Sequence, residues 1–189
     1  MPVIDAETLS DFAGHILAAA GASPAGAELV ARSLVESNLV GHDSHGVVRI
    51  RQYLDTIEAG ELKPTAEPAI ARETATITMV DARHGFGQIA ARFAMAKTIG
   101  KAQVQGLAAT GLFNCNHIGR LGEWVQLAAD QGMIGLAFCN GGRPGGLVTP
   151  YGGSGRALGT NPIAAAVPIA DRPPVVIDFS TSVVAEGKV

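Results

Sequence analysis

The sequence predicts an α/β protein in which an N-terminal helical segment is followed by a mixed, largely parallel sheet flanked by helices. Three observations lead there. Up to about residue 62 the apolar residues recur at helical spacing, and from residue 75 onward short apolar runs alternate with helical stretches. Across 189 residues the chain is 47% hydrophobic and 16% charged, enough apolar side chains to bury a sizeable core.

In chain order, Asp5 is placed to cap a first helix whose apolar positions Leu9, Phe12, Ala13, Ile16, Leu17 and Ala20 follow the i, i+3, i+4, i+7 spacing, with Gly21 as its stop. Ser23-Pro24 gives a cap followed by proline at the first helical position, and Ala27, Val30, Ala31 and Leu34 carry the second stripe toward Gly41. A third helix is expected from Ser44. Its apolar face is Val47, Ile50, Leu54 and Ile57, while His45, Arg49 and Tyr53 step by four along a different face.

After a proline-containing connection from Lys63 to Pro68, residues 75–81 read as a strand and Gln88 to about Gln103 as an alanine-rich helix. Leu107 to Phe113 and Ile134 to Cys139 are apolar runs suited to buried strands, with a helix from about Leu121 to Asp130 between them. A glycine-rich loop from Gly141 to Gly155 precedes two more apolar runs, Ile163 to Val167 and Val175 to Phe179. Strand, helix, strand, helix, strand implies right-handed crossovers and at least some parallel pairing. The expected division is a helical segment over 1–62 and an α/β portion over 63–189, with no internal repeat. Thr181 to Val189 reads as the opening of a further helix with no stop signal, so the sequence is expected to be part of a longer protein.

The net charge of −3 and the absence of a basic run argue against nucleic acid or an anionic membrane surface as partner, which leaves small molecules. The start lacks the basic and apolar stretches of a secretory signal, and no run approaches the roughly 18 apolar residues of a membrane span. A cytoplasmic location is the expectation. Cys115 and Cys139 form no CxxC pattern and read as reduced thiols.

Two polar clusters interrupt this apolar chain: Gly41-His42-Asp43-Ser44-His45-Gly46 with Arg49 and Tyr53 behind it, and Asn114-Cys115-Asn116-His117 with Arg120. Polar clusters cost burial energy, so a site is a reason for them. A guanidinium binds a carboxylate through paired hydrogen bonds, and a neighbouring imidazole exchanges a proton near neutral pH, which is the equipment a 2-oxo or 2-hydroxy acid requires. The alternative for the first cluster is a solvated helix face. His42 and His45 have metal-pair spacing but no third ligand nearby, so no metal is expected. His117 falls after a predicted strand and before a helix, where catalytic groups collect. Cys115 beside it leaves open a cysteine nucleophile or a small buried thiol.

Gly85-Phe86-Gly87-Gln88-Ile89-Ala90 matches the glycine fingerprint of dinucleotide-binding turns, but no acidic residue lies between Asp81 and Glu123 to hold a ribose, which favours a purely structural turn. Gly159-Thr160-Asn161-Pro162 and the stretch near Thr181-Ser182 offer backbone N–H groups able to wrap phosphates, and no Gly-Lys-Ser/Thr loop occurs.

Together, Gly41 to Val47 with Arg49 and Tyr53, Asn116 to Gly122, Pro150 to Gly153, Gly159 to Pro162 and Ile177 to Ser182 resemble the malate/L-lactate dehydrogenase family of the non-Rossmann type. The likeness spans nearly the whole chain. It implies that family's own α/β fold, a homodimer, and hydride transfer between NAD or NADP and a 2-hydroxy acid or its 2-oxo acid. By motif match it places His45 and His117 on the acid/base histidines, and Ser44, Arg49 and Tyr53 on substrate contacts. The cofactor is expected along Asp178, Phe179, Ser180, Thr181, Ser182 and Val183, and near Asn140, Thr160, Asn161 and Lys188. A non-catalytic ligand-binding or dimerisation module on the same scaffold is the alternative of a different class.

Overall fold

A computed structural model describes residues 3–141, 146 and 148–182. The chain forms two compact units, Met1–Arg120 and Leu121–Val189.

The first unit opens with α1 (Ala6–Ala19) and α2 (Pro24–Leu39). Asp5 caps α1 by accepting from the Thr8 backbone N–H at 3.0 Å, and the same hydrogen bond holds its carboxyl below the usual value. Gly21 ends the helix at φ +97°, a conformation that only a residue without Cβ adopts freely. Ser23 then caps α2 through Gly26 N–H at 3.1 Å. Leu17, Val30 and Leu34 are fully buried between the two helices and nearby segments, and each contributes about 1.5–3 kcal/mol by leaving water. Phe12, read as part of the buried stripe, is instead 64% exposed; the α1 face is narrower than its apolar residues suggest.

The third helix differs most from expectation. Instead of starting at Ser44, the chain makes a 3₁₀ turn over Asp43–His45, and α3 covers Arg49–Glu58. Gly46 between them is extended, at φ −86° and ψ −157°. Asn38 at the end of α2 causes the break: its Oδ1 accepts from Val47 N–H at 2.9 Å and its Nδ2 donates to Asp43 Oδ1 at 2.6 Å, so the turn is tied to α2 rather than to α3. A Cβ on Gly46 would overlap this amide. His45 therefore stands outside the helix, and the His45, Arg49, Tyr53 row is not a helix face.

A small sheet completes the unit. It contains β1 (Ala69–Glu73), β2 (Ile77–Asp81) and β3 (Ala109–Phe113), with α4 (Gly87–Gln105) linking the last two. β1 has no strand signal in the sequence, because it lies directly after the proline-containing connection and is mostly exposed, with no alternating pattern to announce it. β2 and β3 pair in parallel, Asp81 opposite Phe113, so the turns following both strands emerge at one end.

The second unit packs α5 (Leu121–Ala129) on a sheet of β4 (Gly135–Phe138), β5 (Ile163–Ile169) and β6 (Arg172–Phe179). Ala164, Ala166 and Val125 are fully buried and Trp124 nearly so, the small residues letting helix and sheet approach. The α/β class holds, but the pairing is not largely parallel. Among the described residues β2 and β3 form the one parallel pair; β1–β2, β4–β5 and β5–β6 are antiparallel. For β5 and β6 the reason is connection length: Ala170 and Asp171 alone join them, too few residues for a crossover. Among the described residues no helix is long and apolar enough to cross a membrane.

Candidate active site

His117 is set by the turns that end β2 and β3. Asn114, at φ 49°, donates from Nδ2 to Asp81 Oδ1 at 3.0 Å and accepts at its carbonyl from His84 N–H at 2.8 Å. Asn116 donates from Nδ2 to the His84 carbonyl at 2.9 Å and to the Gly85 carbonyl at 3.2 Å. Both amides, read from sequence as neighbours of a site, tie the His117 loop to the turn before α4.

The glycine fingerprint serves the same end. A Cβ on Gly87 would overlap the carbonyl oxygens of Asn116 and His117, and one on Gly85 would press on the Ala66 carbonyl. The glycines let backbone meet backbone, the structural turn foreseen. Gly87→Ala is expected to displace the His117 loop and to cost about 1–3 kcal/mol, measurable as a lowered urea midpoint; an unchanged midpoint would show that this contact yields freely.

With the loops fixed, the two sequence clusters meet. The rings of His45 and His117 stack with centroids 5.3 Å apart and planes 24° from parallel, and His42 packs edge-on against His45 at 5.8 Å. Ser44, itself buried, puts its Oγ 3.0 Å from His45 Nδ1. Arg49 donates from Nε to the Ser44 carbonyl and from Nη1 to Gln52 Oε1, both at 2.6 Å, which pins the guanidinium with its Nη1–Nη2 edge still able to fork onto a carboxylate. Tyr53, only 2% exposed, places its hydroxyl 2.7 Å from His117 Nδ1 and packs edge-on against Phe86. All five side chains proposed from the sequence for catalysis or substrate binding thus lie in one neighbourhood. Cys115 turns its thiol to the Asn116 carbonyl at 3.2 Å.

One member of the site was not foreseen. Gln88 is completely buried and donates from Nε2 to the Tyr53 hydroxyl at 2.6 Å. Its signal is present in the sequence: it is the one amide among the buried Gly87, Ala90, Ala91 and Ala94 of α4, and a buried amide needs partners.

His117 is partly exposed as a residue, yet its Nε2 is buried and has no hydrogen-bond partner among the described residues. Burial first, then the Arg49 guanidinium and His45, lowers its pKa to about 3, so the imidazole is neutral at physiological pH. A base with a folded value of about 3 against an ordinary 6.5 leaves stability unaffected above pH 6.5 and removes it progressively as pH falls toward 3, because the unfolded chain takes up the proton first. The urea midpoint is expected to fall with acidification over this range, with a contribution of up to about 1.4 kcal/mol per pH unit from this one group. That part should vanish in His117→Asn. Equal slopes in the two proteins would contradict the burial of a neutral ring.

In the second unit, Phe138, Ile163 and Phe179 are register partners across the sheet, so the segments continuing from them gather at one end. There Gly141 N–H donates to the Thr160 carbonyl at 2.9 Å, which holds Asn140 beside that segment. Thr181 Oγ1 donates to Asn161 Oδ1 at 2.8 Å, and the hydroxyls of Ser180 and Ser182 lie 2.6 Å apart. Asp178 accepts at Oδ2 from Gly122 N–H at 2.6 Å, on the first turn of α5, where a carboxylate is favoured by the helix dipole. Phe179 is half exposed at the strand end. Val183, Lys188, the helix expected from Thr181 onward and most of the Gly141 to Gly146 loop lie outside the described residues.

Comparison with known proteins identifies the family. The malate/L-lactate dehydrogenase family profile matches residues 4–189, and the chain belongs to that family. It is 37% identical over 185 residues to hydroxycarboxylate dehydrogenase B of Escherichia coli K12, covering 97% of this chain and 51% of that protein. Among solved structures, malate dehydrogenase from Entamoeba histolytica matches with a TM-score of 0.93 at 32% identity, over 99% of this chain and 51% of the other. Sulfolactate dehydrogenase from Methanocaldococcus jannaschii matches with a TM-score of 0.92 at 30% identity, over 99% and 53%. The chain spans about half the length of these relatives.

Proposed function

We propose that this chain carries the proton-handling and substrate-anchoring groups of an NAD(P)-dependent dehydrogenase that interconverts a 2-hydroxy acid, such as malate or lactate, and its 2-oxo acid. The observation that carries this reading is the stacked His45 and His117 pair in the same cluster as the pinned Arg49 guanidinium. An α-oxo acid offers a carboxylate and, one carbon away, an oxygen that gains negative charge on reduction. Arg49 takes the first through its Nη1–Nη2 edge. The imidazoles serve the second, one by hydrogen bonding and one by supplying the proton, the division of labour that general acid catalysis and electrostatic stabilisation call for. Ser44 orients His45, and Tyr53 orients His117.

The second unit suits a nicotinamide dinucleotide. Thr181, Ser180, Ser182 and Asn161 form a hydroxyl and amide cluster at the same sheet end as Asn140 and Thr160, a donor set fitted to ribose and phosphate oxygens. The bound dinucleotide supplies the hydride. A homodimer, implied by the family likeness, and a cytoplasmic setting, expected from the lack of a secretory signal, complete the proposal.

The decisive experiment is a titration of the whole protein with NADH and NADPH by nicotinamide fluorescence, followed by turnover assays on a panel of 2-oxo acids. Binding with oxidation of the reduced cofactor on at least one 2-oxo acid is expected. Failure to bind either nicotinamide would sink the reading and favour a non-catalytic module.

A further inference from the structure

Gln88 lies outside every contact invoked above for substrate or cofactor, yet it is wholly buried and its amide is spent on Tyr53. Following the protons explains why. An amide nitrogen can only donate, so the Tyr53 oxygen accepts from Gln88 Nε2 at 2.6 Å. Of the two partners that the described residues give the hydroxyl, only His117 Nδ1, at 2.7 Å, can accept its single proton. Nδ1 must present its lone pair, and the neutral ring must carry its proton on Nε2, the buried nitrogen that has no partner among the described residues. We propose that Gln88 is a positioning residue that, acting through Tyr53, locks His117 in the Nε2–H tautomer and so aims a neutral N–H donor at the carbonyl oxygen of the substrate.

This rests on the dehydrogenase reading for the identity of the acceptor and sharpens it in one respect. A neutral imidazole does not surrender its last proton near neutral pH; it polarises an oxygen by hydrogen bonding. The low pKa of His117 agrees, since a ring held neutral by burial and by Arg49 is a donor at Nε2 throughout the physiological range. His117 therefore stabilises the developing charge, and the transferred proton falls to His45, whose ring is stacked on it at 5.3 Å. The arrangement also accounts for burying an amide whose Oε1 has no hydrogen-bond partner among the described residues, a cost that a purely packing role would have avoided with methionine or leucine.

The direct test is ¹⁵N NMR of the histidine-labelled protein without substrate, with the His117 signals identified by their loss in His117→Asn. A pyridine-type Nδ1 and a pyrrole-type Nε2 are expected. A pyrrole-type Nδ1 would mean that the Gln88 amide is oriented oppositely and every donor in the chain reversed, which overturns the proposal without any mutation at Gln88. Gln88→Glu, whose ionised carboxylate only accepts, should reverse the chain, move the proton to Nδ1 and lower kcat by about 10–10³-fold, the range for losing one donor to a developing oxyanion, with KM little changed. Gln88→Met should lower kcat in the same direction with the ring no longer held in one tautomer. Wild-type kcat and an unchanged His117 signature in both folded variants would also overturn it. Because the tautomer is read without turnover, inactivity toward every 2-oxo acid would count against the dehydrogenase reading, whereas a pyrrole-type Nδ1 in an active enzyme counts against this inference alone.

Discussion

Replacing His117 by alanine is expected to lower kcat by about 10²–10⁴-fold, the contribution of a positioned acid, base or hydrogen-bond donor, while the affinity for the nicotinamide cofactor stays within a factor of about two. The size follows from the site. Nε2 is buried, so no water takes over its hydrogen bond, and the ring is fixed by Tyr53 on a loop that Asn116 and Gly87 hold in place. His45→Ala, measured alongside, separates the roles: loss of the proton donor should change the pH dependence of kcat, whereas loss of the neutral donor should lower it at every pH. Wild-type turnover in both variants would end the assignment of the pair.

Arg49→Lys is the second large effect. The guanidinium is held by hydrogen bonds to the Ser44 carbonyl and Gln52, and an ammonium offers neither the planar fork nor these two anchoring bonds. Losing one charge-assisted hydrogen bond costs about 1.5–3 kcal/mol, so KM for the 2-oxo acid should rise by about 10- to 150-fold with a smaller change in kcat. The readout is initial-rate kinetics at saturating cofactor. An unchanged KM for every 2-oxo acid tested would remove Arg49 from the substrate site.

Most of the elements were legible because their signals are local. Asp5 and Ser23-Pro24 announce the starts of α1 and α2, Gly21 stops α1, and the apolar runs near β3 to β6 stand out against polar flanks. Failures arose where a distant group overrode a local pattern. Helical periodicity continues through Ser44 to Tyr53, but Asn38 captures Val47 N–H and breaks the helix at Gly46. Strand directions failed for another reason: alternation of strand and helix does not say which strands share a sheet, and β3 and β4, joined through α5, lie in different sheets.

The site divides along the same line. Residue chemistry in the sequence picked out the groups suited to a carboxylate and a proton: His45, Arg49, Tyr53 and His117 are recognisable as types, and the missing acid after Gly85-Phe86-Gly87 argues against the usual dinucleotide turn. Only the tertiary structure decided that Tyr53 and His117, 64 positions apart, share a hydrogen bond, and that Gln88 completes it. The physical reason is that side-chain type and spacing are encoded residue by residue, whereas a buried hydrogen bond between remote segments depends on close backbone approach. Here that is the meeting of Gly87 with the Asn116 and His117 carbonyls, which no periodicity records.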